Sequence, residues 1–173
     1  MNTRFTVKYR RRIEGKTNYS NRIKLLSSRK NLLIFRKLSR TVVGSIAKFS
    51  PKGDIILSNA NSKELEKYGW SLSKKNVPAA YLTGFLLAKK AGKKNVGELV
   101  ADFGIIGPTK GSAKYSFLKG AVDGGLKIRH SAESFPDESR ITGKHIEKFS
   151  KSPDAKNVSG IFEDAKKKIG EIS

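Results

Sequence analysis

The stretch Ala79–Ala88 reads Ala-Ala-Tyr-Leu-Thr-Gly-Phe-Leu-Leu-Ala, and it leaves the chain few ways to fold. As a helix it is apolar nearly all round, and such a helix persists in water only when other elements cover most of its sides. Val77-Pro78 precedes it, with proline at the first turn, where a missing N–H costs nothing. Lys89, Lys90, Lys93 and Lys94 surround its stop at Gly92. Gly84 inside it marks a point where another backbone comes close. The rest of the body has to be built around residues 77–92.

The covering elements are legible as strands and helices. Asn31–Lys37 and Thr41–Phe49 are β-rich runs joined by a short polar turn, and Asp54–Ser58 follows the turn Ser50-Pro-Lys-Gly-Asp54. Connections this short predict an antiparallel meander. In the first strand Leu33 and Phe35 alternate with Ile34 and Arg36, which leaves one face wet enough for a ligand. Asn61 or Ser62 caps a short helix through about Tyr68, ending at Gly69-Trp70. Trp70 reads as buried against the sheet rather than as a base-stacking platform.

Downstream, Glu98–Phe103 is a short strand with Leu99, Ala101 and Phe103 on one face, and Gly104–Gly111 is a loop. Ser112 caps a helix to about Val122, stopped by Gly124-Gly125, and Leu126–Arg129 is a last strand. Strand, helix, strand at this spacing predicts a parallel, right-handed crossover. The expectation is an α/β body with a mixed sheet of about five strands. Pro136 and Pro153 punctuate a polar extension with two helix candidates, about Gly143–Phe149 and Val158–Ile172. The expected organisation is a basic arm over 1–16, a body over 17–131 and a partly helical C-terminal extension over 132–173.

Charge says what this body meets. Lys and Arg number 36 against 15 acids, a formal charge of +21. A compact body so charged repels itself unless a polyanion neutralises it. Residues 1–52 hold 15 of those cations against the single acid Glu14, and eight of the ten arginines lie at or before Arg40. Arginine forks onto phosphate and stacks on bases. This skew favours nucleic acid over a membrane surface.

The densest segment is Val7–Tyr19, Val-Lys-Tyr-Arg-Arg-Arg-Ile-Glu-Gly-Lys-Thr-Asn-Tyr. It reads as an RNA-gripping arm, extended through Arg12 and ordered on binding, with Gly15 breaking any earlier helix. Thr17 or Asn18 caps a helix to about Arg29, with Tyr19, Ile23 and Leu26 in one stripe and Arg22 and Arg29 on its flank. The residues expected on RNA are Arg4, Lys8, Arg10, Arg11, Arg12, Lys16, Thr17, Tyr19, Arg22, Arg29, Arg36 and Arg40.

Other chemistries lack their residues. The chain has no cysteine, which removes disulfides and thiolate metal sites. No apolar run is long enough to span a bilayer, and charge begins at Arg4, so a soluble intracellular protein is expected. Gly107-Pro-Thr-Lys-Gly-Ser112 places lysine before glycine, the wrong order for a nucleotide phosphate loop. His130 and His145 lack metal-site spacing. A metal-dependent nuclease, the rival reading, needs several convergent carboxylates, and Asp54, Asp102 and Asp123 are the only candidates. No catalytic residue, metal, cofactor or small-molecule substrate is expected.

Several blocks carry a family resemblance. Val7–Tyr19, Lys67-Tyr-Gly-Trp70, Ala79–Ala88, Leu118–Ser131 and Lys144-His145-Ile resemble, in order, the large-subunit ribosomal protein family that binds 5S rRNA. This is the universal protein eighteen family, called protein five in eukaryotic large subunits, and the archaeal type is the nearer. The resemblance implies a ribonuclease-H-like motif without catalysis, and a cytoplasmic role in the large ribosomal subunit. It implies contact with 5S rRNA and large-subunit rRNA in the central protuberance, beside universal protein five. It also places Lys8, Arg10, Arg11, Arg12, Lys16, Thr17, Tyr19 and Arg22 at RNA-contacting positions. Ile13 stands where a further arginine is common in the family, and the tail after about Phe149 matches poorly.

Overall fold

A computed structural model describes residues 6–92, 94, 96–149 and 157–171. The chain starts with a four-residue helical turn, α1 (Arg10–Ile13), and a longer helix, α2 (Tyr19–Ser27). Three strands follow, β1 (Asn31–Lys37), β2 (Val42–Lys48) and β3 (Ile55–Asn61). They pair as the predicted antiparallel meander, with an irregular register at Ile46/Ala47. A 3-10 helix over Ser62–Tyr68 starts from a reciprocal cap: Asn61 accepts from Lys63 N–H, and Glu64 accepts from Asn61 N–H. It closes on Gly69 in the left-handed region. Trp70 is fully buried, its Nε1 donating to Ser73 O at 3.1 Å.

The apolar stretch forms α3 (Val77–Gly92), in which twelve residues are buried. Asn76 Oδ1 accepts from Ala79 N–H and so caps its first turn. Strand β4 (Leu99–Asp102) pairs parallel with β1, giving the sheet order β3-β2-β1-β4. Helix α4 (Ala113–Asp123) then returns across α3. A fifth strand at Leu126–Arg129 was expected. The segment instead makes a single parallel bridge, Leu99↔Ile128, with Leu99 N–H donating to Lys127 O at 2.9 Å. Gly124 and Gly125 turn the chain immediately before it, and His130 Nδ1 hydrogen-bonds Ile128 O at 2.8 Å, so only a short length lies flat. The sheet is mixed, with four strands.

The close approach read from Gly84 is the crossing of α3 and α4. A Cβ added at Gly84 would lie 2.1 Å from Phe117 O, and one at Gly120 would lie 2.1 Å from Tyr81 O. Two backbones meet there with no side chain between them. One sheet face packs on this pair, with Phe35 against Phe117 at a ring separation of 5.0 Å. Leu32, one residue out of phase, is buried on the other face beside Leu25 of α2.

The C-terminal part holds α5 (Glu138–Thr142), α6 (Lys144–Phe149) and α7 (Val158–Gly170). Val158, Phe162, Ala165 and Ile169 of α7 are buried in the same core as α3, and the Phe162 ring lies 5.4 Å from that of Tyr81. Ile172, the end of the expected stripe, lies outside the described residues. Helix α5 is little more than one turn, too short to carry a helical period in the sequence.

The sheet's outer edge at β3 is guarded from α3 and from the residues just past its end. Lys90 Nζ donates to Asn59 O at 3.3 Å and pairs with Glu64, and Lys94 Nζ donates to Leu57 O.

Candidate nucleic-acid interface

The arm is more folded than its charge predicts. Arg10 Nε donates to Glu14 at 2.7 Å, one helical turn away, and Lys16 Nζ reaches the other oxygen of Glu14 at 2.7 Å. Arg11 Nε donates to Thr17 Oγ1 at 2.8 Å. Gly15 takes φ +63, the left-handed turn that lets Lys16 N–H and Thr17 N–H donate back to Arg11 O. These local bonds wind α1 where an extended segment was expected. The only acid in the first 52 residues thus holds two cations together. Those two partners, Lys16 first and then Arg10, hold the Glu14 carboxyl below its ordinary value. The Tyr9 and Tyr19 rings sit 5.3 Å apart, so the arm folds back on the start of α2.

Asn18 caps α2, accepting from Asn21 N–H at 3.1 Å. The expected stripe of Tyr19, Ile23 and Leu26 is only partly used: Ile23 is 68% exposed. Asn18, Arg22 and Leu25, at helical spacing, line one hollow with Leu32. Arg22 Nη2 donates to both oxygens of Asp54 at 2.8 Å, tying α2 to the start of β3. No residue of α2 is fully buried, so this ion pair carries much of its attachment.

Arg36 behaves similarly. It donates to Asp102 Oδ2 at 2.7 Å, to Asp102 O at 3.0 Å and to Phe35 O at 2.8 Å. The side chains of Lys8, Arg12, Arg29 and Arg40 are exposed and make no hydrogen bond or ion pair among the described residues. Arg29 sits in the left-handed region at φ 54, where α2 ends and β1 begins. Arg4 lies outside the described residues. The nine expected cations among the described residues therefore divide into four without an internal side-chain hydrogen bond or ion pair, Arg10 and Lys16 shared with Glu14, Arg11 bonded to Thr17, and two arginines, Arg22 and Arg36, that also hold the scaffold.

Sequence reading passed over one neighbour, the loop after β4. Ile105 and Ile106 are 49% and 78% exposed, and Ile105 lines hollows shared with Arg11, Arg12, Thr17 and Tyr19. Two adjacent isoleucines between glycines were the available signal.

The carboxylates considered for phosphoryl chemistry are spread over separate partners. Asp54 holds Arg22; Asp102 holds Arg36 and accepts from Gly104 N–H. Asp123 accepts from the Tyr81 hydroxyl at 2.7 Å. Among the described residues, no three His, Asp or Glu side chains converge as metal ligands, and no helix is long and apolar enough to cross a membrane.

Known proteins resemble this chain over most of its length. The profile of a family described as "Ribosomal large subunit proteins 60S L5, and 50S L18" matches residues 3–99. The chain is 49% identical over 146 residues to the large ribosomal subunit protein uL18 of Korarchaeum cryptofilum, covering 84% of this chain and 75% of that protein. It is 47% identical over 148 residues to the protein of the same name from Thermofilum pendens, covering 86% and 76%. With that of Methanococcus maripaludis it shares 44% over 152 residues, covering 88% and 79%. The matched span contains the arm, α2, the meander and α3, and on these grounds the chain belongs to the family of large ribosomal subunit proteins 60S L5 and 50S L18.

Proposed function

We propose that this chain binds 5S rRNA and attaches it to the large-subunit rRNA in the central protuberance, as a non-catalytic constituent of cytoplasmic ribosomes beside universal protein five. The observation that carries this reading is the gathering of Arg11, Lys16, Arg22 and Arg36 around one hollow. Arg10, Arg11, Arg12 and Lys16 are exposed on the folded arm, and Arg22 and Arg36 share one hollow with Arg11 and Lys16. The body presents this cluster beside the arm. RNA neutralises the cations through its phosphates, while Tyr9 and Tyr19 offer ring faces to bases.

The test is filter binding of 5S rRNA and of tRNA over a salt series, with the intact protein and with residues 1–16 removed. Each phosphate contact adds about −0.7 to −0.9 to the slope of log K against log salt. The intact protein should show a steep slope and prefer 5S rRNA at high salt, and truncation should flatten the slope. Equal affinity for tRNA, or indifference to truncation, would refute the proposal.

A further inference from the structure

We propose that the seam between Tyr19 and Ile105 takes up one unpaired nucleotide of the bound RNA. This rests on the RNA-binding reading above and adds to it the kind of RNA element recognised. Two hollows meet along this seam. The inner one is lined by Arg11, Lys16, Arg22 and Arg36, and the outer one by Arg12, Tyr19 and Ser20; both share Thr17, Asn18 and Ile105. The outer hollow measures about 260 Å³, below the roughly 300–1,000 Å³ of sites that take drug-sized ligands. It suits a single base.

The chemistry is divided in the way a nucleotide is divided. On the inner side Arg22 and Arg36 are already matched by Asp54 and Asp102. Arg11 gives only its Nε to Thr17, so its two Nη nitrogens face a phosphate without losing an internal bond. Lys16 can exchange Glu14 for a phosphate oxygen. On the outer side the Tyr19 ring and the Arg12 guanidinium offer flat surfaces, and the Ser20 hydroxyl offers a polar edge. Ile105 supplies an apolar wall.

That wall argues against a plain duplex contact. A double helix presents phosphates and a shallow minor groove, to which an isoleucine adds nothing. An unpaired base gains by leaving water between an aromatic ring and an aliphatic side chain. The loop is also held for the purpose. Gly104 takes φ +81, and the Arg36 guanidinium grips its root through Asp102 O. Ile105 is therefore set on a fixed support while remaining 49% exposed.

The experiment is chemical modification of unpaired bases in 5S rRNA with dimethyl sulfate and carbodiimide, alongside hydroxyl-radical cleavage of the backbone. It uses the full-length protein at saturating concentration, wild type and the variants Ile105→Ala, Tyr19→Leu and Ile106→Ala. The wild type should protect at least one unpaired base. Ile105→Ala and Tyr19→Leu should restore its reactivity several-fold while backbone protection persists, and Ile106→Ala, outside both hollows, should not. Loss of one stacked base predicts binding about 5- to 150-fold weaker for Tyr19→Leu. Backbone protection with the same base reactivities in wild type and both seam variants overturns the nucleotide seam and leaves RNA binding standing. Absence of backbone protection with the wild type overturns the RNA reading itself, and the seam with it.

Discussion

Replacing Gly84 by alanine should unfold this protein more readily, although alanine is the better helix former. In an open helix the change would gain about 1 kcal/mol. Here the new Cβ would lie 2.1 Å from Phe117 O and 3.0 Å from Ala121 N, where ordinary contact begins near 3.4 Å. Helix α4 must withdraw by more than about 1 Å, because backbone cannot rotate away as a side chain can. It cannot slide along α3 either, since Gly120 meets Tyr81 O equally closely. Withdrawal loosens Phe117, Leu118 and Ala121 together, all of them buried. Overpacking of this kind costs about 1–3 kcal/mol and sometimes more, and a case with backbone on both sides belongs at or above the upper end. The net loss should be about 2 kcal/mol. That lowers a urea midpoint by about 1 M, or Tm by about 4–8 °C for a chain of this size. Gly92→Ala is the control, with nothing within 4 Å of its added Cβ, and should stay close to wild type. If Gly84→Ala matches Gly92→Ala or exceeds wild type, the helices do not cross at Gly84 as described.

Three further outcomes follow from the ion pairs and the buried phenol. Glu14→Gln frees Arg10 and Lys16 and should tighten RNA binding with a steeper salt slope, by up to two contacts' worth; weaker binding in a salt titration would mean that Glu14 positions these cations instead. Arg22→Ala removes a two-point tie and leaves Asp54 uncompensated, so α2 amides should exchange with deuterium well ahead of those of β1, with a stability loss of about 1 kcal/mol for this part-buried pair. Equal protection of α2 in the variant would exclude that role. Burial, and then the hydrogen bond to Asp123, raise the Tyr81 hydroxyl above its ordinary value of 10.0. The native state thus keeps a proton that the unfolded chain gives up, so the stability contributed by Tyr81 is complete below pH 10 and falls as pH rises above it. Alkaline denaturation should show a shallower decline for Tyr81→Phe.

The fold was readable where one residue type had one use. Gly84 in an apolar helix meant a backbone crossing, and Asn61 with Glu64 meant a capped start. The strand pattern from Asn31 to Ser58 meant a meander because its turns were too short for anything else. Leu126–Arg129 misled because its composition is that of a strand, while pairing length depends on the turns at either side. The interface was legible in charge but not in allegiance. Nothing in the sequence distinguishes Arg22 and Arg36, which hold Asp54 and Asp102, from Arg12 and Arg40, which hold no acid. Those pairings span 32 and 66 residues and exist only once the sheet has formed. Helical spacing allows Ile23 on the docking stripe, but the pairing of Arg22 with Asp54 turns the helix so that Ile23 faces solvent.

The two lysines laid over the edge of β3 bear on life before assembly. A ribosomal chain is made apart from its RNA and has to remain dispersed until the two meet. An open strand edge is where one copy would zip onto another, and Ile55 and Ile56, each 54% exposed, would reward such a mistake. Lys90 and Lys94 occupy the carbonyls of Asn59 and Leu57 that a second strand would need. An incoming copy must first displace an ammonium from each, and it brings its own +21 charge against the same surface. The end of the helix at the centre of the body and the chain leaving it thus also guard the free protein against its own kind.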